Sequence, residues 1–252
     1  MTNPTNYSAT VPYIDLNILT NNTFLGHAIA RNLTVLPGQN DNLPVTAVWS
    51  PTSSPASAAM GREFLSQYIS GYNTTLTVQT HKDSIPFQPA LGVALARFNI
   101  TLPTPSLRSD PPSDDPYDPQ PPDKKEGPHF LRDATFHLLT STATFILLSP
   151  LRYSTLTVID LNATAYYKGS PAGQILYDLP FEVPPMDEDG EGFLTPRLPV
   201  DWSLGSVGYD AVKNALGGTL KLSAYAEVGV GIGKWRERIW FRGGGLGARV
   251  RL

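Results

Sequence analysis

Cysteine is absent from the 252-residue chain, which excludes disulfides, thiolate metal sites and cysteine nucleophiles. Charge is scarce too: Asp, Glu, Lys and Arg make up 16% of residues, against roughly 25% in an average soluble domain. The net charge of −3 and the pI of about 5.8 provide no global field that would draw the chain to a nucleic-acid backbone or an anionic lipid surface. No apolar run reaches the roughly 18 residues of a bilayer span, and Met1 to Thr10 lacks the basic-then-apolar pattern of a signal peptide.

Catalytic signatures are missing as well. His27, His81, His129 and His137 are scattered, with no pair at helical metal-site spacing, and there is no Gly-x-Ser-x-Gly elbow. The run Gly229-Val230-Gly231-Ile232-Gly233-Lys234 looks like a phosphate loop. However, Val228 stands where a Walker loop needs Gly, Trp235 where it needs Ser or Thr, and Lys234 where a dinucleotide turn needs its third Gly. The expectation is a Gly-rich strand or bulge. Asp187, Glu188, Asp189 and Glu191 are adjacent and Gly-flanked, so all four stay wet. General acid-base work needs carboxylates in unlike environments, and the spacing misses a calcium loop. A solvated loop over Met186 to Gly192 is expected. These absences point to a protein that is not an enzyme and needs no cofactor or metal; an uncharacterised hydrolase is the weaker alternative.

What the chain does have is one plan written twice. Ile14-Asp15-Leu16-Asn17 recurs 145 positions later as Ile159-Asp160-Leu161-Asn162. Asn3-Pro4 answers to Ser149-Pro150, Gly26 to Gly173, Pro37 to Pro184, Gly61 to Gly208 and Thr75-Leu76-Thr77-Val78 to Thr219-Leu220-Lys221-Leu222. Landmarks repeating in order indicate tandem domains. Between them, Pro103 to Pro128 is rich in Asp, Pro and Ser and nearly devoid of apolar residues, so it cannot offset the entropy of ordering.

Alternating, β-branched stretches predict strands over Thr135 to Leu148, Ser154 to Tyr167, Thr75 to Thr80, Ala90 to Leu102, Thr219 to Val228, Trp235 to Phe241 and Gly247 to Leu252. Ile14, Leu16 and Ile18 share one face of a further strand. Met60, Phe64, Leu65, Tyr68 and Ile69 fall at helical spacing before Gly71, as do Tyr209, Val212 and Leu216 before Gly217-Gly218. The fold expected is mainly β: two tandem β-sandwiches, each braced by one short helix. The domains are 1–103 and 129–252, joined by a disordered linker over 104–128. The first lacks an N-terminal strand matching Thr135 to Leu148, so either the chain begins inside a domain or a donated strand fills the gap.

Three features bear on binding and location. The helix residues Phe64, Leu65, Tyr68, Ile69, Tyr209, Val212 and Leu216 are candidates to line an apolar groove wide enough for an acyl chain, or simply a buried helix face. Trp235, Trp240 and Phe241 alternate with Arg236, Arg238 and Arg242, which reads as core aromatics opposite a solvated arginine face or as a partner surface. Asn6, Asn21, Asn32, Asn73, Asn99 and Asn162 open Asn-x-Ser/Thr sequons, six of twelve asparagines. That exceeds what the Ser and Thr content produces by chance and favours a lumenal, glycosylated domain. Any targeting signal would then lie in an anchor upstream of Met1.

The order strand, Asn3-Pro4-Thr5, Tyr13-Ile14-Asp15-Leu16, Leu25-Gly26, a strand ending in Pro, helix and paired strands resembles the late-embryogenesis-abundant group-two domain. The tandem, its Pro-rich spacer and the ending Trp235-Arg236-Glu237-Arg238-Ile239-Trp240 resemble the C-terminal part of fungal vacuolar membrane proteins that terminate autophagy, a family sometimes labelled pre-rRNA processing. The resemblance implies immunoglobulin-like domains on the lumenal side of the vacuolar membrane, associated with the membrane through an anchor outside this chain, and lipid binding between sheet and helix. The partners it implies are a lipid or other domains of the same longer protein, and no nucleic acid. The competing reading is an interaction or spacer module that docks partners by strand addition.

Overall fold

A computed structural model describes residues 2–40, 44–52, 54–96, 98–104, 130–186, 192–203 and 219–251. The chain divides into two compact units, Met1–Phe64 with Thr74–Thr104, and Leu65–Asn73 with Pro105–Leu252.

The first unit is built on a long hairpin, β2 (Ala9–Thr20) and β3 (Thr23–Val35). Its two-residue turn is Asn21-Asn22, both at positive φ (46° and 61°). That left-handed geometry matches the twist of the flanking strands, and Asn tolerates it. Before the hairpin, β1 (Thr2–Asn3) pairs with β4 (Gly38–Gln39). The five-stranded sheet adds β5 (Thr46–Trp49) beside β3, and β6 (Thr75–Gln79) then β7 (Asn99–Pro103) beside β2. Period-two alternation makes the sheet two-faced. Ile14, Leu16 and Ile18 lie opposite Ala30, Ala28 and Gly26 on one face, while Asp15 and His27 meet at 2.9 Å on the other.

Two helices complete the elements described here, α1 (Pro55–Ile69) and α2 (Pro89–Leu95). Ser54 accepts the Ser57 N–H through its hydroxyl at 3.1 Å, an N-terminal cap of α1. Gly61 lets α1 approach Pro51 and the Trp49 ring. The helix ends at Gly71, whose φ of 78° supplies the left-handed cap.

In the second unit β8 (Leu131–His137) and β9 (Thr142–Leu147) form a hairpin, as do β10 (Leu156–Tyr167) and β11 (Ser170–Tyr177). Short strands β12 (Phe181–Val183), β13 (Phe193–Leu194), β14 (Leu198–Pro199) and β15 (Asp201–Trp202) follow. The long pair β16 (Thr219–Ile232) and β17 (Trp235–Arg251) completes a ten-stranded sheet whose main path runs β13-β9-β8-β17-β16-β10-β11-β15. The sheet curls back on itself. Phe136 of β8 and Trp202 of β15 stand near opposite ends of that order, yet their rings meet edge to face at 5.2 Å. Ala134, Phe136 and Ala143 thereby pack with Ile175, Leu198 and Leu222 in one core.

The two units repeat at the level of the ladder. A bulge lies between Ile18 and Leu19 in β2, and between Ala165 and Tyr166 in β10. Gly26 pairs with Ile18 and with Trp49, and Gly173 pairs with Ala165 and with Trp202. The turn Asn21-Asn22 has its counterpart in Lys168-Gly169, also at positive φ. This alignment runs two residues off the one the tetrapeptides suggest. An even shift keeps every side chain on its face, so the repeated Ile-Asp-Leu-Asn preserves the alternation and not the register.

Three expectations are corrected. Thr135 to Leu148 is a hairpin, not one strand, because Leu138 to Ser141 turns, with Ser141 at φ 49°. Ala90 to Leu102 is α2 followed by β7: Pro89 opens the helix, and Gly92 docks it closely on the Lys82 carbonyl. Trp235 to Phe241 and Gly247 to Leu252 belong to a single strand through Arg251. The first unit thus carries a second helix that the one-helix plan did not include. The helix expected at Tyr209, Val212 and Leu216, the acidic loop at 187–191 and the linker over 105–128 lie outside the described residues. Among the described residues, the first unit has no counterpart of the β8–β9 hairpin.

A Cβ on residue 26 would collide with the Val48 backbone carbonyl, whereas one on residue 173 would press at 3.1 Å on a Val200 methyl that can shift. Gly26→Ala should therefore destabilise the first unit by about 1–3 kcal/mol, and Gly173→Ala the second by less, in urea denaturation followed by circular dichroism.

Candidate apolar binding site

The curl of the second unit's sheet leaves its two inner walls imperfectly filled. Between them is a cavity of about 100 Å³. One wall is the β10–β16 face, with Leu161, Ala163, Ala224 and Ala226. The other carries Phe145 and Leu147 of β9, and Phe130, Phe181 and Ile239 also line the cavity. Small residues leave the space: Ala163, Ala224 and Ala226 line it together with Phe145. Thr195 is the one lining residue with a side-chain hydroxyl apart from the rims, and its Oγ1 already accepts the Phe145 N–H at 3.0 Å. An all-apolar cavity of this size stays dry, and about 150 Å³ is enough for one benzene. The site suits the end of a hydrocarbon chain.

The end of α1 from Leu65 onward, which groups with the second unit, forms one rim. Ile69 lines the cavity and is 1% exposed. Ser66 and Ser70 lie one turn apart on the same helix face, and their hydroxyls accept the backbone N–H groups of Trp240 (3.1 Å) and Arg242 (3.0 Å). A helical i, i+4 spacing thus matches a strand i, i+2 spacing along the edge of β17, beyond which β8 joins only at Ala248. Burial pushes the Tyr68 phenol above its usual range, with Arg152 pulling the other way.

Beside the cavity, and sharing Ala224 with it, lies an open cleft walled by Ser70, Tyr72, Tyr166, Tyr225 and Arg242. The Arg242 guanidinium sits over the Tyr225 and Trp240 rings, at 5.8 and 5.3 Å.

Of the expected groove residues, Ile69 lines the cavity; Phe64 packs against Trp49 with ring centroids 6.1 Å apart, and Leu65 is 4% exposed. Tyr68 is half-buried, and Tyr209, Val212 and Leu216 are outside the described residues. Trp235 and Phe241 are buried on one face of the last strand, and Trp240 shares the other with the arginines: Arg236 donates to the Gly233 and Trp235 carbonyls, Arg238 pairs with Asp160 at 2.7 Å, and Arg242 covers the Trp240 ring. Gly229 to Lys234 is the closed end of the β16–β17 hairpin, with Gly233 at φ 57° in the turn. Gly229 clears the Asp160 carboxylate and Gly231 clears Arg236. Among the described residues no three His, Asp or Glu side chains gather as a metal site. The six sequon asparagines are all exposed. Composition gave no sign of the cavity; the alanines of β10 and β16 were the available signal, legible only once their face was known.

Comparison with known families decides what this architecture is. Residues 1–93 match the model of the Tag1-like fourth LEA-2 like domain, and residues 123–240 that of the Tag1-like fifth LEA-2 like domain. The chain carries two LEA-2-like domains in tandem. No curated protein matches it. LEA-2-like domains are in general non-catalytic, in keeping with a site made of hydrocarbon walls. In the second unit, Ser66→Ala removes the acceptor of a part-buried N–H and should cost about 1–3 kcal/mol. Ser70→Ala should cost less, since Arg242 is exposed; equal losses in urea titration would contradict the assignment.

Proposed function

We propose that this LEA-2-like tandem is a non-enzymatic lipid-binding module on the lumenal side of a fungal vacuolar membrane, linked to the regulation of autophagy. The observation that carries the lipid reading is the dry, apolar cavity of the second domain. A chain end entering it gains about 25 cal/mol for each Å² of apolar surface removed from water, and the adjoining cleft offers Arg242 and tyrosine hydroxyls to a polar head. The match to Tag1-like domains and the resemblance to the vacuolar family support the compartment and the autophagy link. Six exposed sequons support the lumen, where N-glycosylation requires accessible asparagines.

Native mass spectrometry of mildly extracted protein should find a co-purifying lipid, and Ala226→Phe, which fills the cavity, should abolish it while the domain stays folded. Retention of lipid by the filled variant would place the binding elsewhere. For the compartment, protein from its own host should lose mass on enzymatic deglycosylation, with attachment mapped to some of Asn6, Asn21, Asn32, Asn73, Asn99 and Asn162. Unmodified asparagines at all six positions would contradict a lumenal location.

A further inference from the structure

The apolar face of the first unit corresponds, residue by residue, to the interior of the second. Counting from the shared bulge, Ile14, Leu16 and Ile18 stand where Leu161, Ala163 and Ala165 stand in β10. Val78, the partner of Ile18, stands where Ala224 pairs with Ala165. Leu161, Ala163 and Ala224 line the second unit's cavity, opposite Phe145 and Leu147 of the β8–β9 hairpin. In the first unit the same face continues outward without a roof among the described residues. Ile100 is the partner of Val78 and Leu102 of Leu76, and both are 49% exposed; the neighbouring Phe98 is 58% exposed. Ala28 and Ala30 on the same face are 6% and 3% exposed, so one side of the sheet is packed and the β6–β7 side is open.

Among the described residues, β7 is also the terminal strand of its sheet, with no ladder on its outer edge. Thr80 and Thr104 donate to the carbonyls of Phe98 and Thr74, respectively. By antiparallel alternation, Ile100, Leu102 and Thr104 turn their backbone groups toward β6, as does the Phe98 carbonyl, whose N–H donates to Leu95 instead, and Asn99, Thr101 and Pro103 turn theirs outward. An exposed edge beside an exposed apolar stripe is a template for another strand.

We propose that this face of the first unit is a docking site for an amphipathic β-hairpin supplied by another stretch of polypeptide, with the chemistry of β8–β9. Its inward positions carry Ala, Phe and Leu at alternate residues, as at Ala134, Phe136, Ala143, Phe145 and Leu147, and its outward positions are mainly polar, as at Asp133, Thr135, His137, Thr142 and Thr144. The second unit is the argument for that occupant, since it shows what covers the same face when the cover is part of the same unit. The proposal is independent of lipid binding in the second domain.

The test adds a synthetic peptide of residues 130–149 to the full chain. Saturable shifts of the Ile18, Ile100 and Leu102 methyl resonances and a higher melting temperature are expected, and a peptide carrying Phe136→Asp and Phe145→Asp should produce neither. Should the peptide aggregate, residues 130–147 are fused ahead of Met1. There residues 1–8 correspond to the 148–155 segment that joins β9 to β10. Unchanged methyl resonances in the fused chain would overturn the proposal. It would equally be overturned by self-association of the unmodified chain that Ile100→Glu abolishes, which makes the occupant a second copy. Co-sedimentation with phosphatidylcholine vesicles that Ile100→Glu abolishes would make it a lipid surface.

Discussion

An antiparallel sheet with one apolar face has to be roofed, and the structure of both LEA-2-like domains follows from how that requirement is met. In the second domain the sheet meets it by curling: β8 joins β17 in parallel, β9 follows, and Phe136 reaches Trp202 across the enclosed core. Burying side chains such as Leu156, Val183, Leu198 and Val230, each at most 1% exposed, contributes about 1.5–3 kcal/mol apiece. In the first domain the same face is covered on the β3 side and, among the described residues, left open at β7, where Ile100 and Leu102 remain half in water.

The roof also explains where the cavity comes from. The equivalent positions of β2 and β10 are Ile14, Leu16, Ile18 and Leu161, Ala163, Ala165, so the roofed domain carries the smaller side chains. Methyl groups opposite Phe145 leave space that neighbouring rings only partly fill, and no polar group enters it to hold water. The roof that completes the core is therefore the same element that defines the apolar site.

Much of this was legible in the chain. Alternation in Ile14 to Ile18 fixed a face, Gly26 and Gly173 repeat as landmarks and take equivalent places in the two ladders, and the glycine run, expected as strand or bulge, is strand as far as Ile232 and turn at Gly233. The repeated tetrapeptide misled by two residues, because face is set by alternation while register is set by the bulge and the turn. The strand expected over Ala90 to Leu102 begins as helix, α2 covering Pro89–Leu95. A short apolar run has no period that separates the two structures, and Pro89 at the first helical position was the neglected signal. Ser66 and Ser70 carried no signal at all, since their role depends on strand N–H groups that lie far along the chain.

Native-state hydrogen exchange compares the two sheets most directly. With one face roofed and the other open, the β16–β17 amides around Ala226 and Phe241 should exchange only through global unfolding of their domain. The β7 amides of Ile100 and Leu102 should exchange through local opening at much lower free energy. Equal protection of the two pairs, each tracking global unfolding, would mean that the first domain's face is already closed and would contradict the account.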